Sequence, residues 1–158
     1  MKTLITLLAL ASTLPVAPGW TQTTPSPPDT LFKNVRVFDG TRAALSAPTN
    51  VLVRGNKIVS IGASSRSASA TTIEGGGRTL MPGLIDNHVH LFMTGSSQGE
   101  MMDAKATFEG LEAKAAEEAR QMLMRGFTAV RDMGGPVFGI KKAIDRGEIP
   151  GPRIYPSG

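Results

Sequence analysis

Leu80-Met81-Pro82-Gly83-Leu84-Ile85-Asp86-Asn87-His88-Val89-His90-Leu91 is the stretch on which the reading of this chain turns. Pro82 lacks a ladder donor and Gly83 lacks a side chain to pack, so together they close whatever structure precedes them. Gly83 to Leu91 then predicts a strand with apolar residues on both faces, as expected in a covered parallel sheet. The chain has 2 histidines, and both fall here, at His88 and His90. Side chains at i and i+2 of a strand share a face, so the two imidazoles aim at one point while Val89 turns to the opposite layer. Neutral imidazole is a good ligand for Zn²⁺ and related ions, at about 2.0–2.1 Å. Zinc generally takes about four ligands, so the pair is part of a site and the rest must come from elsewhere. Taken alone, His-x-His is equally a pair of histidines packed in a core or left in solvent. Asp86 shares parity with both histidines. It either orients an imidazole from behind or makes a structural hydrogen bond, and the spacing allows both.

Downstream, the rhythm is that of alternating helices and strands. Asp103 to Arg125 predicts a helix, with Phe108, Leu111, Ala115, Ala119 and Met122 as one buried stripe and Gly126 as the cap. Phe127 to Asp132 predicts the next strand. Pro136 suits the first turn of a second helix, with Val137, Ile140 and Ile144 on one face and Gly147 beyond its end. Arg153-Ile154-Tyr155 opens a further strand. This alternation indicates a parallel α/β architecture. It does not distinguish an open sheet from a closed (β/α)8 barrel, which usually takes about 250 residues. In such barrels the carboxyl ends of the strands carry the chemistry. Asp132 and Arg131 end the second strand, where they meet substrate, brace the mouth or form an ion pair. Tyr155 and Ser157, at the third strand's end, are candidates for substrate contact.

Upstream, residues 31–80 read as short strands of a small β-sandwich: Leu31 to Phe38, Asn50 to Arg54, Lys57 to Ile61 and Thr71 to Glu74. Gly55-Asn56 suits a tight hairpin that needs positive φ. Gly75-Gly76-Gly77 resembles a phosphate-cradling loop in composition, but no helix start follows it, so it reads as a flexible turn.

The first 30 residues carry no core. Met1-Lys2, the apolar run Leu4 to Leu14 and the small residues Ala17-Pro18-Gly19 have the layout of a secretory signal peptide, residues 1–19, cleaved after Gly19. The run is far shorter than the ~20 apolar residues of a membrane span. A retained anchor or a buried strand are the alternatives. Residues 20–30, rich in Thr, Pro and Ser, predict a solvated linker. The expected location is secreted or periplasmic, with no stable membrane span after cleavage. Without Lys2 the net charge falls from +4 to +3. That small surplus, without a basic cluster or neighbouring aromatics, argues against nucleic-acid binding. The chain has no cysteine, so it relies on its core or on bound metal rather than on disulfides.

The quoted stretch resembles the signature that opens the barrel in the amidohydrolase superfamily. Gly126-Phe127-Thr128-Ala129-Val130-Arg131-Asp132-Met133-Gly134-Gly135 resembles the second barrel strand and its loop in the branch of imidazolonepropionase-like enzymes and metal-dependent Xaa-Pro dipeptidases and carboxypeptidases. Gly151-Pro152-Arg153-Ile154-Tyr155-Pro156-Ser157-Gly158 resembles the third strand of that branch. The resemblance implies a (β/α)8 barrel, begun at residues 81–158, beside a β-sandwich made from both chain ends. It also implies one or two divalent metals, zinc foremost, with His88 and His90 as ligands of the more buried ion. In two-metal members a carboxylated lysine from the fourth strand, histidines from the fifth and sixth, and an aspartate from the eighth complete the site. Their counterparts, and with them the catalytic groups, are expected beyond Gly158, so this chain reads as an amino-terminal fragment, inactive alone. The implied reaction is hydrolysis of a carbon–nitrogen bond in a small amide or peptide, such as a dipeptide or acylated amino acid, by a metal-activated water. A homo-oligomer is compatible with it. The competing reading is a non-catalytic exported β-sandwich or metal-binding protein.

Overall fold

The computed structural model of the chain describes residues 27–157. The predicted signal, residues 1–19, and residues 20–26 of the predicted linker lie outside the described residues. The linker's far end needs correcting, because Asp29 and Thr30 open the first strand, β1 (Asp29–Val37). Asp29 is buried there, and its carboxylate accepts from Arg54 Nε at 2.7 Å and Nη2 at 3.0 Å. The Arg54 hydrogen bonds, helped by Ser67, hold the Asp29 carboxyl down at about 2.

β1 pairs antiparallel with β2 (Thr49–Arg54), which pairs antiparallel with β3 (Lys57–Ile61). On its other side β1 pairs in parallel with β4 (Thr71–Glu74) and then with the two-residue β5 (Thr79–Leu80). Leu31, Val35, Val51 and Leu52 are the buried apolar residues of this sheet. The five strands make a single sheet, and the second layer of the expected sandwich is not among the described residues. Ile58, Val59, Ile61 and Ile73 remain exposed on it. In the hairpin between β2 and β3, Gly55 carries the positive φ of 57° and Asn56 does not, as a turn with glycine at its first central position requires. The triple glycine forms the turn expected of it, and its first residue is closely packed. A bulge in β1 places Asn34 at φ 52°, and Gly75 packs under it. A Cβ on Gly75 would lie 2.8 Å from the Asn34 carbonyl oxygen, so this turn is a tight one.

The second unit has three parallel strands in sequence order: β6 (Leu84–Val89), β7 (Phe127–Asp132) and β8 (Arg153–Pro156). The connection from β6 to β7 holds α1 (Leu91–Gly95), α2 (Gln98–Met101) and α3 (Phe108–Met124). The first two have no counterpart in the sequence reading, since one turn of helix leaves no periodicity to detect. The predicted helix from Asp103 instead begins at Phe108. Thr107 caps it, its hydroxyl accepting from the Gly110 amide at 3.1 Å, and Asp103 folds back on the Lys105 amide in a turn. In α2, Ser97 and Glu100 form a reciprocal cap. The second oxygen of Glu100 meets Lys114 on α3, and Lys114 and Ser97 together hold the Glu100 carboxyl down at about 2.

The predicted stripe on α3 faces inward through Ala115, Ala119 and Met122, and α4 (Phe138–Asp145) adds Ile140. With Val89, Leu91, Phe92, Val130, Val137 and Ile154 they form one core between the helices and the sheet. Phe108 stays half exposed at the stripe's end and stacks on Phe92 at 6.0 Å between ring centroids. Alanine on α3 lets α1 approach so closely that only glycine fits at Gly95. Truncating Ile140, which is 2% exposed, to alanine would cost about 2–5 kcal/mol. Leu84 and Ile85 on β6 are exposed, so β6 is covered on fewer sides than its apolar sequence anticipates.

Candidate metal centre

His88 and His90 lie at the carboxyl end of β6, the edge where β7 and β8 also end. The strand is irregular there. Asp86 pairs with Val130 and Val89 with Asp132, so three steps on β6 match two on β7. The extra residue is a β-bulge covering Asn87-His88, a device that re-aims side chains near sites. It also frees the His88 amide from the ladder, and Asp86 Oδ1 accepts it at 3.0 Å. Asp86 therefore grips the backbone of His88, the structural hydrogen bond of the two roles open to it.

The imidazoles meet as the sequence predicts. Their Nε2 atoms are 3.2 Å apart, with the ring planes at 70°. For a metal–nitrogen distance of about 2.0–2.1 Å, that separation gives an angle of about 100–105° at a shared ion, near the tetrahedral value. With both Nε2 lone pairs used for an ion, each Nδ1 carries the proton. The Nδ1 of His90 is buried and has no hydrogen-bond partner among the described residues. The chemistry of the pair thus fits a divalent metal, as two donors of a larger set. Among the described residues no cluster of three or more His, Cys, Asp or Glu side chains converges on a point.

Asp132 takes a position that the sequence left open. It is fully buried. Its Oδ2 accepts the Leu91 amide at 2.9 Å and its Oδ1 the Gly134 amide at 3.0 Å. Its backbone oxygen accepts the Ser157 amide at 2.9 Å, which ties β7 to the end of β8. Asp132 is thus bonded to backbone on every side and braces the mouth, while Arg131 is exposed beside it and forms no ion pair with it. Tyr155 pairs in register with Arg131 and is exposed at the same edge. Sequence reasoning missed Gly134. A Cβ there would lie 3.7 Å from His90 Nδ1, so Gly134 faces that ring across a gap a methyl group would fill. The Gly134-Gly135 pair is the sequence signal of this loop, and Gly135 adopts a φ of 119° that favours glycine. Other hollows lie away from the histidines, including one of about 280 Å³ between Glu100, Asp103, Thr107 and Lys114.

The chain is also similar to known proteins. An ochratoxinase from Aspergillus niger is 35% identical over 80 residues, covering 50% of this chain and 17% of that protein. An imidazolonepropionase from Alkaliphilus oremlandii is 30% identical over 115 residues, covering 54% of this chain and 27% of that protein. The crystal structure of a Xaa-Pro dipeptidase with bound methionine in the active site is 28% identical and superposes with a TM-score of 0.68, over 82% of this chain and 33% of that one. The chain thus spans a third or less of the length of these relatives. Such structural neighbours imply a TIM-barrel fold, and β6 to β8 form a parallel sheet in sequence order. Residues 79–158, half of the chain and the half that holds both histidines, match the amidohydrolase family, to which the chain belongs.

Proposed function

We propose that this chain supplies the opening strands and the first metal ligands of an exported, metal-dependent amidohydrolase that cleaves the carbon–nitrogen bond of a small amide or peptide. The observation that carries the proposal is the 3.2 Å approach of the His88 and His90 Nε2 atoms at the carboxyl end of a parallel strand. His88 and His90 would hold a divalent ion, zinc foremost. When bound, such an ion lowers the pKa of water towards about 7 and polarises the substrate carbonyl. The chain's own contribution is positional. The strand end brings the rings together, Asp86 accepts the amide of the first, and Gly134 faces the second. Arg131 and Tyr155, exposed and in register on the same edge, are placed to meet a polar substrate. A dipeptide or acylated amino acid is the substrate class we favour, on the likeness to a Xaa-Pro dipeptidase. The closed eight-stranded barrel, a second sheet layer completing a sandwich, and export from the cytoplasm belong to the same proposal.

The test is made on the full-length protein. Chelation should abolish hydrolysis of a panel of dipeptides and acylated amino acids, and zinc should restore it. His88→Ala and His90→Ala should each lower zinc affinity by roughly 10²–10³-fold. A four-ligand zinc site is worth about 10–16 kcal/mol, and one ligand's share is about 3–4 kcal/mol. Wild-type turnover by the double variant would refute the assignment.

A further inference from the structure

We propose that Asp132 is a positioning residue for His90: it sets the place of that imidazole entirely through backbone amides, from the neighbouring strand. This rests on the reading of His88 and His90 as metal ligands.

The α1 helix is capped from outside its own segment. Its N-cap is His90 itself, at φ −138° and ψ 84°, and His90 makes no side-chain cap. The cap is supplied instead from 41 residues away, by Asp132 Oδ2 accepting the Leu91 amide at 2.9 Å. Leu91 is fully buried, so its amide has no access to water and depends on that carboxylate. The backbone bond that follows the His90 Cα is therefore pinned. On the other side, Asp132 Oδ1 accepts the Gly134 amide at 3.0 Å, and Gly134 faces the ring, since a Cβ built on it would come within 3.7 Å of His90 Nδ1. A third link closes the frame, the Met133 amide donating to the Val89 oxygen at 2.8 Å. One buried carboxylate thus fixes both the stem of His90 and the loop residue that faces its ring.

The hydrogen bonds of Asp132 go to amides and not to an imidazole nitrogen, so it differs from the usual carboxylate that orients a metal-bound histidine by accepting its free N–H. A neutral side chain there has a specific defect. Asparagine keeps one acceptor oxygen, but its amide group presents N–H to the other backbone N–H. It satisfies one of the two donors and opposes the second. Alanine leaves both unpaired in a buried place. The expected order of His90 placement is aspartate, then asparagine, then alanine.

The experiment compares wild type, Asp132→Asn, Asp132→Ala and His90→Ala in the full-length protein, well below each melting temperature. Zinc affinity is read by competition with a chromophoric chelator, and folding by circular dichroism. Amide hydrogen exchange at Leu91 and Gly134 is read on the zinc-free protein. Asp132→Asn is expected to stay folded and to lose about 10–100-fold in zinc affinity, the range seen when support behind a ligand is removed. Asp132→Ala should lose more. Leu91 and Gly134 should be protected in wild type, and one or both should exchange faster in the asparagine variant. Folded Asp132→Asn with zinc affinity within twofold of wild type would overturn the inference, even if it melts lower. So would rapid exchange at Leu91 and Gly134 in wild type, a result that stands even if both variants fail to fold. If His90→Ala binds zinc as wild type does, the metal reading itself has failed. If only His90→Ala loses zinc, the fault lies with Asp132 alone.

Discussion

Replacing Gly95 with alanine adds a single methyl carbon, and its consequence can be worked out atom by atom. That carbon would lie 2.8 Å from the Lys114 carbonyl oxygen, 3.0 Å from its carbonyl carbon and 3.1 Å from the Ala115 nitrogen. A relaxed carbon–oxygen contact needs about 3.3–3.6 Å, so α1 and α3 must part by roughly 0.5–0.8 Å. All three obstacles are backbone atoms, so no rotamer change relieves them. Overpacking of this kind costs about 1–3 kcal/mol, and alanine's better helix propensity returns at most about 1 kcal/mol. The net loss should be about 1–2 kcal/mol. Gly99 in α2 is the matched control, since a Cβ there meets nothing within 4 Å. Gly99→Ala should leave stability unchanged or raise it by up to about 1 kcal/mol. Urea unfolding of the full-length protein, followed by far-ultraviolet circular dichroism, measures both. Because α1 begins directly after His90, Gly95→Ala should also weaken zinc binding, and Gly99→Ala should not. Equal unfolding midpoints for the two variants would refute the packing argument.

The Asp29–Arg54 pair should make the first sheet sensitive to acid. The folded Asp29 value is lowered from 3.8 to about 2, so the pair's contribution is complete above about pH 4 and is lost as pH falls towards 2. Acid unfolding of wild type and Asp29→Asn should therefore converge near pH 2 and differ above pH 4; curves that differ by the same amount throughout would contradict it. Removing the Asp86 side chain with Asp86→Ala should release the His88 amide and speed its hydrogen exchange, which unchanged exchange would disprove. The isolated 158-residue chain should be insoluble or partly folded, because an unpaired parallel edge templates aggregation, and a sharp melt from a soluble monomer would count against this. Amino-terminal sequencing of protein recovered outside the cytoplasm should begin near Trp20; intact Met1 on soluble cytoplasmic protein would refute export.

The parts of the fold legible in the sequence are those where side-chain period and burial agree. Ala115, Ala119 and Met122 repeat at helical spacing and are buried, so α3 was visible apart from its start. The parallel order of β6, β7 and β8 followed from the helices between them. Elements held by single hydrogen bonds were hidden. α1 is one turn capped from another strand, and β1 begins two residues early because Asp29 finds Arg54, a partner 25 residues distant. At the site, the i, i+2 spacing correctly joined His88 to His90. It left two roles open for Asp86, and the register shift beside it, which decides for the bond to the His88 amide, has no signature in residue identity. Asp132 could be placed at the strand's end from sequence, but its burial depends on how α1 docks, which no local pattern records.

The central place of β1 in its sheet has a consequence for how the chain is made. Its hairpin partner β2 reaches it through Thr30 and Val53, whereas its parallel partner β4 reaches it through Thr30 and Thr71, 18 residues later. At about 5–20 residues per second of synthesis, that gap lasts roughly 1–4 s. During it, β1, β2 and β3 can assemble as a meander while the far side of β1 stays bare. A bare strand edge recruits other chains, and charges along it discourage them. Lys33 and Arg36 lie on β1 and remain exposed after β4 and β5 arrive. They guard a strand that is temporarily an edge and becomes interior only when the nascent chain has grown long enough to cover it.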